Sequence, residues 1–167
     1  MKLSTLLLAP AALSAAGVAT KPAQLNPPYC PPREVEASQL QAIFQEAIQK
    51  LFVDRNGTQY ALDHLAEDYI QRNPYALSGR DNTVTTLAFV SPNTVNFTIL
   101  NTALQGNIGF VHYTMELSGE ARPPVIGGEE NPTVVVDVMR FNGSCIQEHW
   151  DVMQQRPDDA TNPLEMW

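Results

Sequence analysis

The run TVVVDVMRF-NGS-CIQEHWDVMQ, residues 133–154, decides the fold. Two segments rich in valine, isoleucine, methionine and aromatic residues flank Asn142-Gly143-Ser144, a turn-forming triplet. Residues 133–141 and 145–154 therefore read as a β-hairpin. Side chains alternate across a strand. On the second strand Ile146, Glu148, Trp150, Val152 and Gln154 share one face, and Gln147, His149, Asp151 and Met153 the other. On the first, Asp137, Met139 and Phe141 share a face opposite to Val134, Val136, Val138 and Arg140. A tight turn sets Asp137 beside Glu148 or Trp150. The face with Trp150 then becomes the pocket side, and His149 with Asp151 is expected on the outer face or in a dimer contact.

Working back towards the N-terminus, residues 94–103 and 108–117 are a second pair of strands, turned at Gln105-Gly106-Asn107. A loop over 118–132 carries Pro123-Pro124 and Gly127-Gly128. Before Pro92 the period changes. Leu40, Ile43, Phe44, Ala47, Ile48, Leu51 and Phe52 recur every three or four residues, which predicts an amphipathic helix ending near Asn56-Gly57. A shorter helix follows, with Leu62, Leu65 and Ala66 inward and Tyr69-Ile70 at its exit. Asn73-Pro74 stops it, because the residue before proline avoids the α region. Asp81 caps a weak third helix through Leu87. Helices followed by strands argue an α+β fold, with N-terminal helices packed on a curved antiparallel sheet. Such layers leave a cavity between them, a usual place for a ligand.

The ends read differently. Lys2, an apolar run to Leu13 and the small residues from Ala15 to Ala19 form a secretory signal over 1–19. Residues 20–33 hold five prolines and form an extended arm, the folded domain spans 34–156, and 157–167 is a loose tail. Export makes a disulfide between Cys30 and Cys145 the default expectation, the alternative being two buried free thiols. Three sequons, at Asn56, Asn96 and Asn142, are candidate glycan sites. The formal charge of -8 and only ten scattered lysines and arginines argue against nucleic acid and anionic membrane surfaces as partners. No apolar run is long enough to span a bilayer.

Two segments carry a resemblance. Tyr69-Ile70-Gln71-Arg72-Asn73-Pro74 with Gly79-Arg80-Asp81 is the first, and Val136-Asp137-Val138-Met139-Arg140-Phe141 with Ile146 to Gln154 is the second. Together they resemble the SnoaL-like branch of the NTF2-like superfamily. The resemblance implies a cone-shaped, pocketed α+β fold, often dimeric through the outer sheet face, that generally works without metal or organic cofactor. It implies a small-molecule ligand. Characterised relatives include polyketide cyclases doing aldol chemistry, dehydratases, isomerases and epoxide hydrolases. The chain departs from the cyclases: Arg72 stands where the motif commonly has histidine, Gln154 replaces their acid/base aspartate, and Met139 lies near the place of their pocket histidine.

Candidate site residues follow. Asp137, between Val136 and Val138, is a desolvated carboxylate suited to a general base, or else a structural partner of Arg72 or Arg140. His112 is its candidate acid partner, or else a core histidine bonded to backbone. Glu148 forms a carboxylate pair with Asp137, or else binds a helix-terminal N–H. Trp150 is the expected aromatic wall, with Tyr69 and Met139 beside it. Arg72 and Asn73 would hold a carboxylate or phenolate at the mouth, or else serve as a surface residue and a cap. The three histidines lack metal-ligand spacing. The leading expectation is a secreted, cofactor-independent cyclase, isomerase or dehydratase acting on a small carbonyl or polyketide-like substrate. The alternative is a non-catalytic binding protein with the same pocket.

Overall fold

The computed structural model describes residues 25–118 and 133–162; the expected leader, most of the 118–132 loop and the end of the tail lie outside these. Three helices precede a long run of strands: α1 (Ala37–Ile48), α2 (Gly57–His64), β1 (Leu65–Gln71), α3 (Arg80–Leu87), β2 (Val95–Gln105), β3 (Ile108–Leu117), β4 (Thr133–Asn142) and β5 (Cys145–Gln155). The fold is α+β, with one five-stranded sheet in the order β1-β5-β4-β3-β2. β2 to β5 pair antiparallel, as expected, but β1 runs parallel to β5, so the sheet is mixed.

β1 corrects the sequence reading. Leu65 and Ala66 were expected on a helix with Tyr69 at its exit, and all three are on a strand. The helix stops at His64, and Leu65 turns extended with φ -90° and ψ 140°. No proline or glycine marks that switch. Pairing with β5, through Leu65 opposite Ile146 and Ile70 opposite Glu148, overrides the helical spacing. Leu62, expected inward, is 41% exposed.

α1 follows its pattern. Leu40, Ile43, Phe44, Ala47 and Ile48 are buried, and the Gln39 side chain accepts the Glu36 N–H at 2.9 Å across the first turn. The helix then widens into a π-helical turn, Gln49–Val53, which buries Leu51 and Phe52. These elements lie over the sheet. Phe44 meets Phe141 edge-on at 6.2 Å, and Phe52 meets Tyr113 at 4.6 Å and Phe97 at 5.3 Å.

The arm is stitched to the β4–β5 turn. Cys30 and Cys145 form a disulfide with Cα atoms 5.1 Å apart. Ser144 Oγ donates to the Tyr29 carbonyl at 2.6 Å and accepts the Arg33 N–H at 3.1 Å. Gly143 sits at φ +54°, and a Cβ there would fall 2.2 Å from the Arg33 carbonyl oxygen, so both the turn and the arm require glycine.

Candidate active site

The decisive feature is one extra residue in β5. Phe141 pairs with Ile146, but Arg140 pairs with Glu148, so Gln147 is bulged out of the ladder. A shift by one residue exchanges the two faces of a strand. Ile146 is fully buried under the helices, and beyond the bulge it is His149, Asp151 and Met153 that point the same way. The register sets Asp137 opposite Asp151, Met139 opposite His149 and Val138 opposite Trp150.

Several expectations are therefore corrected. Trp150 is on the outer face, half-buried, and is not the pocket wall. Glu148 is on that face too. Its carboxylate is clamped by Arg72 (Nη2 2.6 Å, Nε 2.7 Å) and Arg140 (Nη2 2.7 Å, Nε 2.8 Å), and those hydrogen bonds hold it below the usual carboxylate range. It forms no pair with Asp137. Arg72 is thereby drawn away from the cavity. His112 pairs with Val136 on the outer face, where its Nδ1 lies 3.3 Å from Asn101 Nδ2. Met139 does face inward, but it is sealed in the core, with the Tyr60 hydroxyl 3.8 Å from its sulfur.

Asp137, Tyr69 and Asn73 line one cavity of about 130 Å³, together with His149, Asp151, Gln71 and Tyr113. Its remaining walls are apolar and include Phe52, Phe89, Phe97, Leu87 and Met115. Asp137, His149, Asp151, Tyr69 and Tyr113 stand on the sheet side of the cavity, on the neighbouring strands β1, β5, β4 and β3. β4 supplies Asp137, β5 supplies His149 and Asp151, and β1 with its exit supplies Tyr69, Gln71 and Asn73.

The hydrogen bonds fix the protons. Gln71 Oε1 accepts the Asn73 backbone N–H at 3.0 Å, so that atom is the amide oxygen. His149 Nδ1 lies 3.0 Å from the same oxygen and must therefore carry a hydrogen. His149 Nε2 is 3.2 Å from Asp137 Oδ1, so a second proton is shared between imidazole and carboxylate. Burial pushes the His149 pKa down, but the charge and hydrogen bond of Asp137, with the charge of Asp151, outweigh it and leave the pKa raised. Asp151 lies 4.0 Å from Nδ1, and Asn73 Nδ2 donates to both of its oxygens at 2.9 and 2.8 Å. Asn73 Oδ1 accepts the Tyr75 N–H at 2.8 Å, which locks that amide.

Three tyrosines complete the wall. The Tyr113 hydroxyl is 3.3 Å from both oxygens of Asp137, and burial together with that carboxylate raises its pKa well above 10. Tyr60 and Tyr69 are raised too, first by burial. All three stay protonated as donors. Tyr69 accepts from Gln71 Nε2 at 3.3 Å, and its own proton has no acceptor among the described residues. It is therefore free to reach a ligand. Asp137, His149 and Asp151 also offer ligand atoms within 4.8 Å of one another, a spacing that a metal ion could bridge. Each already has a protein hydrogen-bond partner, which favours proton sharing.

No family model and no curated protein matches the chain. Solved structures do. TsrD from Streptomyces laurentii superposes with a TM-score of 0.57 at 14% identity, covering 72% of this chain and 92% of its own. A protein assigned as a SnoaL-like polyketide cyclase from Jannaschia sp. CCS1 gives 0.56 at 11%, covering 72% and 91%. The fold is the NTF2-like fold that these structures share. An LEH-like epoxide hydrolase of M. tuberculosis shares this NTF2-like fold at a TM-score of 0.50 and 17% identity, covering 68% of this chain and 84% of its own. Fold alone leaves the reaction open, since one fold hosts many sites.

His149, Asp151 and Gln71 were missed as site residues for two reasons, and Tyr113 because its strand neighbour His112 was given the inward place. The bulge at Gln147 leaves no local mark, and Gln71 was read at the exit of a helix. The strand's own alternation pointed the other way: Ile146, Trp150 and Val152 are apolar in phase with one another, and His149 and Asp151 fall in the opposite set.

Proposed function

We propose that this chain is a cofactor-independent lyase or isomerase, of the cyclase, isomerase or dehydratase type, that moves a proton on the carbon beside a substrate carbonyl. The observation that carries the reading is the Asp137–His149–Asp151 row on the wall of a partly open, aromatic-lined cavity. Asp137 takes the proton. Its neighbours Tyr113 and His149 orient it, and His149 passes the proton on or returns it. Tyr69 donates to the carbonyl oxygen as negative charge develops there. None of these steps calls on a metal.

The test is deuterium exchange. Small ketones incubated with the protein in D₂O should lose α-protons by NMR, and Asp137→Asn should slow this by roughly 10²- to 10⁴-fold. Exchange that survives in a folded Asp137→Asn protein contradicts the reading. A second reading, a binding protein without turnover, is favoured by the two Asn73 bonds that occupy Asp151. It predicts ligand binding with no exchange.

The disulfide supports export to an oxidising compartment. Asn56, Asn96 and Asn142 are all exposed, which supports glycan attachment. The outer sheet face, with Val152 71% and Phe110 37% exposed, supports a homodimer through that face. Mass measurement before and after glycosidase, and light scattering, check these in turn.

A further inference from the structure

We infer that the cavity selects a single-ring carbonyl compound bearing no anionic group. This deepens the proton-transfer reading and rests on it for the carbonyl. Size comes first. A cavity of about 130 Å³ is close to the ~150 Å³ apolar cavity that accepts one benzene. It is well below the roughly 300–1,000 Å³ of a usual drug-sized site. The cavity is partly open, so a small acetyl group can lie in its mouth while one ring fills it, whereas two fused rings exceed the enclosed space.

Charge comes second. Among the described residues that line the cavity none is lysine or arginine, whereas Asp137 and Asp151 are both present. Arg72 and Arg140 are spent on Glu148 across the sheet. The formal charges of Asp137, Asp151 and His149 sum to a negative value in either protonation state of the imidazole. The tyrosines add no positive charge. A ligand carboxylate or phosphate entering here would face like charge with no cation to meet it. One unpaired unit charge at about 5 Å, with an effective dielectric near 20, weakens binding by roughly a hundredfold or more. The apolar walls of Phe52, Phe89, Phe97 and Leu87 suit the ring, and Tyr69 is the donor for the carbonyl.

The experiment compares three probes on the wild-type protein by saturation-transfer NMR at millimolar concentration: acetophenone, benzoate and 2-acetonaphthone. Acetophenone should bind, benzoate should bind about a hundredfold more weakly or not at all, and 2-acetonaphthone should not bind. Asp151→Asn, confirmed folded by its thermal melt, should recover part of the benzoate affinity. Benzoate or 2-acetonaphthone binding as well as acetophenone overturns the selection, and so does failure of all three to bind. Methyl-proton exchange of acetophenone in D₂O is read in the same samples. If the probe order holds but no exchange occurs, the selection stands and the catalytic reading falls.

Discussion

His64 offers a prediction whose size follows from the coordinates. Its side chain is fully buried, stacked between the rings of Tyr29 (4.9 Å) and Tyr60 (5.7 Å), and neither ring nitrogen has a hydrogen-bond partner. Burial, helped by the nearby Lys50 charge and opposed by Glu46 and Asp63, pushes its pKa from the ordinary 6.5 down to about 4. A histidine with a depressed folded pKa stabilises the fold fully above its unfolded value, and the stability drains as pH falls from 6.5 through 4. At about 1.4 kcal/mol per pH unit, roughly 3 kcal/mol is lost over that window. His64→Phe keeps the ring contacts and cannot take up a proton. Removing an orphan N–H also gains about 1–3 kcal/mol at every pH, from which any overpacking by the larger ring subtracts. That constant part cancels when the two proteins are compared across pH. Urea unfolding at pH 8, 6, 5 and 4 should show the stability difference between His64→Phe and wild type growing by about 3 kcal/mol towards acid. Parallel curves, with a difference that changes by less than about 1 kcal/mol, would refute the reasoning.

Two further outcomes are expected. Replacing both Cys30 and Cys145 with alanine opens a link of sequence separation 115; loop entropy sets the loss at up to about 5 kcal/mol, read as a lower urea midpoint with the fold retained. Gly109→Ala brings a Cβ within 2.6 Å of the fully buried Phe44 ring, so calorimetry should show a destabilisation of about 1–3 kcal/mol, relieved by Phe44→Leu.

The legible parts of the chain were those whose cause is local. The turns at Gly106 and Gly143 need positive φ, and both hairpins fall where their sequences place them. α1 was legible because its apolar stripe repeats at helical spacing from Leu40 to Ile48. β1 was not, because Leu65 to Gln71 become a strand only through β5, far along the chain. The site failed at a single residue. Asp137 lies on the cavity wall, but Gln147 slips the register, brings His149 and Asp151 in, and puts Trp150 and Glu148 out. A bulge is a property of two strands together, and the composition of one strand does not encode it.

The account rests on Asp137 and His149 sharing a proton inside the cavity. The direct measurement is the imidazole nitrogen and proton shifts of His149 by NMR across pH, in wild type and in Asp137→Asn. The ring should remain doubly protonated above pH 6.5 in wild type, with Nδ1–H retained throughout. Its pKa should fall once the Asp137 charge is removed. A His149 that titrates alike in both proteins, or that carries its neutral-form hydrogen on Nε2, would contradict the arrangement on which the chemistry depends.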